Sequence, residues 1–325
     1  MRRLSFFAFS FLAAATAASA LTADGKHKLV FIAGKPSHPA GMHEFRAGAL
    51  LIEKCLAAVP NLVVDRHDMG WVKDEATFAD ADAVVIYADG GKGHPAVQGT
   101  HLETLRGLMS KGVGFGCMHY GVEVVPDLGG KEFQQWLGGH YENAHSCNPI
   151  WEPSFKSFPE HPITRGVKPF QIEDEWYFNM RFRPAFGEGI AAAADGKTQF
   201  VPILTAVPSD ATRDGPYVYP KGPYPHIQAQ KGELESMMWA VEREDGGRGF
   251  GFTGGHFHKN WGNDNFRKTV LNALLWVAKV DVPADGVASA VTEEELSQNL
   301  DPKPAPKPKK TSMETPRAFQ RMASN

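Results

Sequence analysis

The stretch Lys111-Gly-Val-Gly-Phe-Gly-Cys-Met-His119-Tyr-Gly-Val-Glu123 constrains the fold more than any other. Residues 113–117 form a short apolar run with no polar alternation, the pattern of a strand buried on both faces. Strands of that kind belong to parallel sheets covered by helices on either side. The run ends in a polar, glycine-punctuated turn, and open α/β sheets bind ligands at the carboxyl ends of their strands. His119 is the side chain such a strand delivers into the crevice.

The chain before this stretch repeats the same arrangement. Lys28-Leu-Val-Phe-Ile-Ala33 runs into Gly34, and Leu62-Val-Val64 and Ala83-Val-Val-Ile-Tyr87 are further short buried strands. Between them, Phe45, Ala49, Ile52, Leu56 and Val59 recur at helical spacing. Thr100-His-Leu-Glu103 has the form of a capping box opening a second helix, and Gly112 suits its stop. Strand and helix alternating at this spacing predict right-handed crossovers and a parallel sheet. Further on, residues 200–207 and 236–243 read as strands, with Asp245-Gly-Gly-Arg248 as a hairpin turn into Gly249-Phe-Gly-Phe-Thr253. A final helix carries Phe266, Val270, Leu274, Leu275 and Ala278 on one side. No internal repeat is visible.

The ends have a different character. Arg2-Arg3, an apolar stretch over residues 4–12 and Ala18-Ser19-Ala20 are the parts of a cleaved secretory signal peptide over residues 1–20. The apolar stretch is shorter than the ~20 residues of a membrane span. The expectation is a mature protein beginning near Leu21, periplasmic or secreted, with no stable membrane span. Past Val282 the tract Asp301-Pro-Lys-Pro-Ala-Pro-Lys-Pro-Lys-Lys310 predicts an extended, largely disordered Pro/Lys-rich tail over residues 283–325. That leaves one α/β domain over residues 26–282. With 22% charged residues and a net charge of −3, nucleic acid is not an expected partner. Homo-oligomer formation is left open. Three cysteines, Cys55, Cys117 and Cys147, make no disulfide scaffold.

Four loops that end predicted strands carry chemistry. They hold His38, His43 and Glu44; Asp89, Lys92 and His94; His119, Tyr120 and Glu123; and His256 with His258. A parallel sheet gathers all four on one edge, where neutral imidazoles suit a divalent transition metal, a general base, or both. Glu173-Asp-Glu175-Trp-Tyr177 adds carboxylates and a phenol beside an indole, the composition of a sugar subsite. His94 and His38 precede prolines and would equally serve as turn formers. No H-E-x-x-H, G-x-S-x-G, paired C-x-x-C, P-loop or Gly-x-Gly-x-x-Gly motif is present, which argues against zincins, common α/β-hydrolases and a nucleotide cofactor.

The segments Ala33-Gly-Lys-Pro-Ser-His-Pro-Ala-Gly-Met-His-Glu-Phe45, Met118-His119, His161-Pro-Ile-Thr-Arg-Gly166, Asp174-Glu-Trp-Tyr177 and Gly249-Phe-Gly-Phe-Thr-Gly-Gly-His256 together resemble the ThuA-like (trehalose utilisation) family. The resemblance implies a flavodoxin-like, doubly wound, mainly parallel sheet with helices on both faces, similar to class I glutamine amidotransferases. In those relatives a nucleophilic cysteine sits at the elbow after a central strand. Here Cys117 lies near that elbow, but no His-x-Glu follows, so glutaminase chemistry is not expected. The resemblance further implies a sugar or keto-glycoside substrate.

With the residues above, it suggests metal-assisted acid/base chemistry (elimination, hydration or isomerisation) on an oxidised (3-keto) glycoside. His43, His119 and His256 are the expected ligands of Zn²⁺ or Mn²⁺. His119, Glu175 and Tyr177 are the expected catalytic groups, and His38, Asp89, Trp176 and His258 the expected substrate contacts. The alternative is a non-catalytic periplasmic carbohydrate-binding protein, with affinity carried by Trp136, Trp151, Trp176 and Trp261.

Overall fold

A computed structural model describes residues 25–184 and 198–303. Its centre is a seven-stranded sheet. The strands are β1 (His27–Ala33), β2 (Leu62–His67), β3 (Ala83–Tyr87), β4 (Gly114–Met118), β5 (Gln199–Ala206), β6 (Glu235–Glu242) and β7 (Arg248–Phe252). Their order across the sheet is β5-β6-β7-β4-β3-β1-β2. The pairs β1–β2, β1–β3, β3–β4 and β4–β7 are parallel, and β5–β6 and β6–β7 antiparallel. The expectation of a mainly parallel, doubly wound sheet therefore holds, with an antiparallel edge contributed by the C-terminal half.

The absence of polar alternation in β3 and β4 is explained by their position. Every residue of both strands is buried. On one face they meet α1 (Phe45–Leu56) and the long helix α3 (Asp264–Val277). On the other lies α2 (His101–Met109), through Leu105, Leu108 and Met109. Strands buried on both sides have no solvent face to mark.

Two local expectations fail. Thr100 precedes α2 but its hydroxyl caps nothing, because its backbone (φ −100°, ψ 8°) is not the extended N-cap form. The reciprocal capping box occurs instead at Thr292 and Glu295, opening α4 (Glu293–Ser297). That helix lies inside the segment expected to be an extended tail. Residues 283–303 instead pack on the domain, burying Val287 and Leu296. Apolar side chains at 287, 291 and 296 outweigh the polar composition around them. The signal-peptide expectation concerns residues 1–20, and the remainder of the tail residues 304–325; both lie outside the described residues.

Candidate metal centre

β1 and β3 are neighbours, but the chain leaves β1 toward β2 on one side and β3 toward β4 on the other. At such a switch point the connections diverge and a crevice opens at the carboxyl edge. β4 and β7 run parallel to them, so the loops after β1, β3, β4 and β7 share that edge. His43 arrives with φ 47° and His119 with φ 51°, left-handed backbone that ordinary side chains rarely adopt. Such conformations persist where the surroundings hold them, often at functional sites. The β3 loop must be glycine at position 90: a Cβ there would stand 2.2 Å from the Tyr120 carbonyl oxygen.

Three imidazoles meet at this edge. His43 Nε2 lies 2.9 Å from His119 Nε2 and 3.0 Å from His256 Nδ1. His256 Nδ1 lies 3.2 Å from His119 Nε2. Glu175 completes the group, its Oε2 2.6 Å from His256 Nδ1 and 3.8 Å from His119 Nε2. All four residues are buried, within 4% of full enclosure.

The partners of these rings fix their protons. His119 Nδ1 donates to the Thr253 carbonyl at 3.0 Å, so its Nε2 is a lone pair when the ring is neutral. His43 Nδ1 donates to Asp89 Oδ1 at 2.7 Å, so its Nε2 is likewise a lone pair. Two acceptors thus face each other at 2.9 Å with no hydrogen between them. A cation placed among them would satisfy both lone pairs at once. A proton is disfavoured, since burial, followed by the neighbouring histidines, pushes both ring pKa values well down. Donor atoms around one ion at ~2.1 Å stand roughly 3–3.4 Å apart, and the three nitrogens match that spacing. The donor set fits a divalent transition metal.

Surrounding groups orient the four residues. Asp89 holds His43 in the required tautomer, the carboxylate–histidine pairing common behind metal ligands. Asn148 Nδ2 donates to Glu175 Oε1 at 2.8 Å. Asp174, fully buried, accepts from the backbone N–H groups of Gly255 (2.8 Å) and His256 (3.0 Å) and from Asn260 Nδ2 (2.9 Å), clamping the loop that bears His256. Tyr87 ties the same loop down by donating to the Gly255 carbonyl. The Tyr177 hydroxyl lies 3.3 Å from His119 Nε2, and burial pushes its pKa well up, so it stays a proton carrier. Glu123 reaches toward the β3 loop beside the Tyr120 hydroxyl. Burial, then the charge of Glu175, raises its pKa to about 7.

His43, His119, His256, Glu175 and Tyr177 are therefore brought together as the sequence suggested. His38 lies over His43 with ring centroids 3.6 Å apart and planes tilted by 30°, and with Asp89 it lies at the open side of the group. Two expected substrate contacts belong elsewhere. Trp176 is fully buried, donates to the Ile172 carbonyl and packs on Phe155, Phe252 and Phe266, so it is core. Residue 177 then points the opposite way along the extended chain, into the site. His258 is buried in a 3₁₀ turn beyond the cluster, because the chain turns after His256 instead of continuing extended. Trp261 is also fully buried and Trp136 nearly so, while Trp151 donates to the Trp176 carbonyl. Trp136, Trp176 and Trp261 thus offer no open platform for a sugar, whereas Trp151 is half-buried. His94 shapes a turn, accepting from Ala96 N–H and meeting the Gly121 carbonyl. Cys117 is fully buried and burial raises its thiol pKa well above the usual range, which removes it as a nucleophile. Asn148 was missed, and Asp174 and Glu123 were named among the chemistry-bearing segments without a role. No pattern along the chain pointed to Asn148.

Sheet and site together define an α/β protein with a buried three-histidine, one-carboxylate centre at the carboxyl edge of its strands. The chain belongs to the ThuA family, described as trehalose utilisation, which matches residues 37–277. Comparison with curated proteins gives no match. Among solved structures, the chain is similar to a ThuA-like protein from Bacteroides uniformis at 15% identity and a TM-score of 0.54, covering 81% of this chain and 96% of that one. It is also similar to a ThuA-like protein from Parabacteroides merdae at 14% identity and a TM-score of 0.52, covering 84% and 100%. At these identities the likeness establishes the fold alone.

Proposed function

We propose that this ThuA-family protein is a divalent-metal-dependent enzyme that performs acid/base chemistry on an oxidised glycoside. The observation that carries the reading is the approach of the His43 and His119 lone pairs to 2.9 Å, with His256 and Glu175 beside them. The trehalose-utilisation family supports a carbohydrate substrate. His43, His119 and His256, with Glu175, would hold the ion. Bound there, Zn²⁺ or Mn²⁺ would supply Lewis-acid polarisation of a carbonyl oxygen.

The chain's own groups supply the rest. A proton next to a carbonyl is removed by a base whose pKa lies near the working pH. Glu123, raised to about 7, has that property and is partly open to solvent. Tyr177 keeps its proton and can donate it to an oxygen that gains negative charge. Asp89 and His38, at the open side, are placed to meet substrate hydroxyls. Export through residues 1–20 is part of the same proposal, and the N-terminal sequence of the secreted protein, expected near Leu21, tests it.

The deciding experiment measures bound metal in the purified protein and turnover of 3-keto-glycosides before and after chelation. Stoichiometric Zn²⁺ or Mn²⁺, with turnover lost on chelation and restored by the ion, is expected. Full turnover after exhaustive chelation would remove the metal from the mechanism.

A further inference from the structure

The segment after residue 282 reaches the centre through one side chain. Lys54 pairs with Glu295 and also donates to the Ala290 carbonyl, holding α4 against α1. From there the chain returns to the loop bearing His43. The Asp301 backbone N–H donates to Glu44 Oε2 at 2.8 Å. Lys303 Nζ, on a side chain only 4% exposed, donates to the carbonyl oxygens of Met42 and His43. It also stands 3.2 Å from Glu44 Oε1 and 3.7 Å from Asp301 Oδ2. Glu44 Oε1 in turn accepts from the Gly41 N–H at 2.9 Å. Among the described residues, every hydrogen bond and ion pair of this ammonium ends on residues 42–44 or on Asp301.

These residues set the position of a ligand. The His43 N–H donates to the His256 carbonyl at 3.1 Å, and the His258 N–H to the Gly41 carbonyl at 2.9 Å. Two of the three imidazoles are therefore carried on one pair of backbone rungs. His43 also holds a left-handed backbone that is unfavourable for a side chain with a Cβ and needs outside support. A buried ammonium is itself costly unless it is paired and hydrogen-bonded. Here the pairing is with Glu44 and Asp301, and the hydrogen bonds fall on the two carbonyls that flank the strained residue.

We propose that Lys303 is a positioning residue, and that residues 293–303 form a clasp locking the loop over residues 41–44 in the conformation that presents His43 to the metal. The role assigned to the clasp rests on the metal reading of the site, whereas its grip on the loop does not.

The test uses the full-length chain with Lys303→Met, which removes the cation, and Lys303→Arg, which keeps one. Two quantities are measured: amide hydrogen exchange of the metal-free protein, and affinity for Zn²⁺ and Mn²⁺ by titration. Lys303→Met should speed exchange at Gly41, His43 and His258 about tenfold or more, with β3 and β4 unchanged. It should weaken metal binding about 10- to 100-fold, as expected for loss of a group that orients a ligand. Lys303→Arg should restore both at least in part. Unchanged exchange at those three amides, or faster exchange spread over the whole chain, would overturn the clasp. If the wild-type chain binds neither ion while Lys303→Met still loosens those amides, the metal reading falls and the clasp stands.

Discussion

Replacing His119 by asparagine separates the ligand role of this residue from its structural role. The asparagine amide keeps a donor near the position of Nδ1, where it can still serve the Thr253 carbonyl, but nothing occupies the position of Nε2. In the metal-free protein the change removes one of the two lone pairs that face each other at 2.9 Å, an unfavourable contact, and leaves some ring volume unfilled. These effects oppose each other, so the variant should stay within about 1 kcal/mol of wild type in the presence of chelator. With metal the two proteins should diverge. An ion at 100 times its dissociation constant stabilises the native state by about 2.7 kcal/mol. For a domain of this size that is a rise in Tm of roughly 5 °C. Loss of one of four donors should raise the dissociation constant about 100-fold or more, leaving less than about 0.5 kcal/mol of stabilisation at the same ion concentration. Thermal unfolding with and without Zn²⁺ or Mn²⁺ reads the difference directly. Equal metal-induced shifts in the two proteins would refute the assignment of His119 Nε2 as a ligand.

Three further outcomes follow from the same geometry. Asp89→Asn weakens the partner that holds the His43 tautomer and should lower metal affinity about 10- to 100-fold, measured by competition with a chelating dye; unchanged affinity would leave Asp89 a substrate contact only. Because the Glu123 carboxyl loses its proton near pH 7, activity that uses it as a base should rise through that pH, and Glu123→Gln should abolish this limb of the profile. A retained limb in the variant would assign it to another group. Burial lowers the pKa of His94 and His140 from 6.5 to about 4, so below pH 6.5 the unfolded chain binds protons that the folded chain refuses. Stability is therefore whole above pH 6.5 and falls as the pH drops toward 4, by on the order of 3 kcal/mol for each ring. Urea unfolding of the metal-free protein between pH 7 and 4 measures this, and a flat profile would contradict it.

Much of this protein could be read from local pattern. Runs such as 83–87 and 113–117, apolar throughout and closed by glycine-rich polar turns, determined a sheet buried on both faces and marked the strand ends where His43, Asp89, His119 and His256 would appear. That inference needs only the rule that a residue ending a parallel strand lies at one edge. The sequence could not say which way a side chain faces once the strand has ended. Trp176 and Tyr177 are adjacent, yet one is core and the other touches His119, because alternation along extended chain sends neighbours to opposite sides. His256 and His258 share a face only if the chain stays straight, and it turns.

The tertiary structure alone decided the rest. It closed His43 and His256, 213 residues apart, to 3.0 Å, set two lone pairs against each other, and folded residues 283–303 back so that Lys303 grips the ligand loop. Proton positions and mutual distances among buried polar groups depend on what each group's other side meets. That is a property of packing between distant segments, and no pattern along the chain carries it.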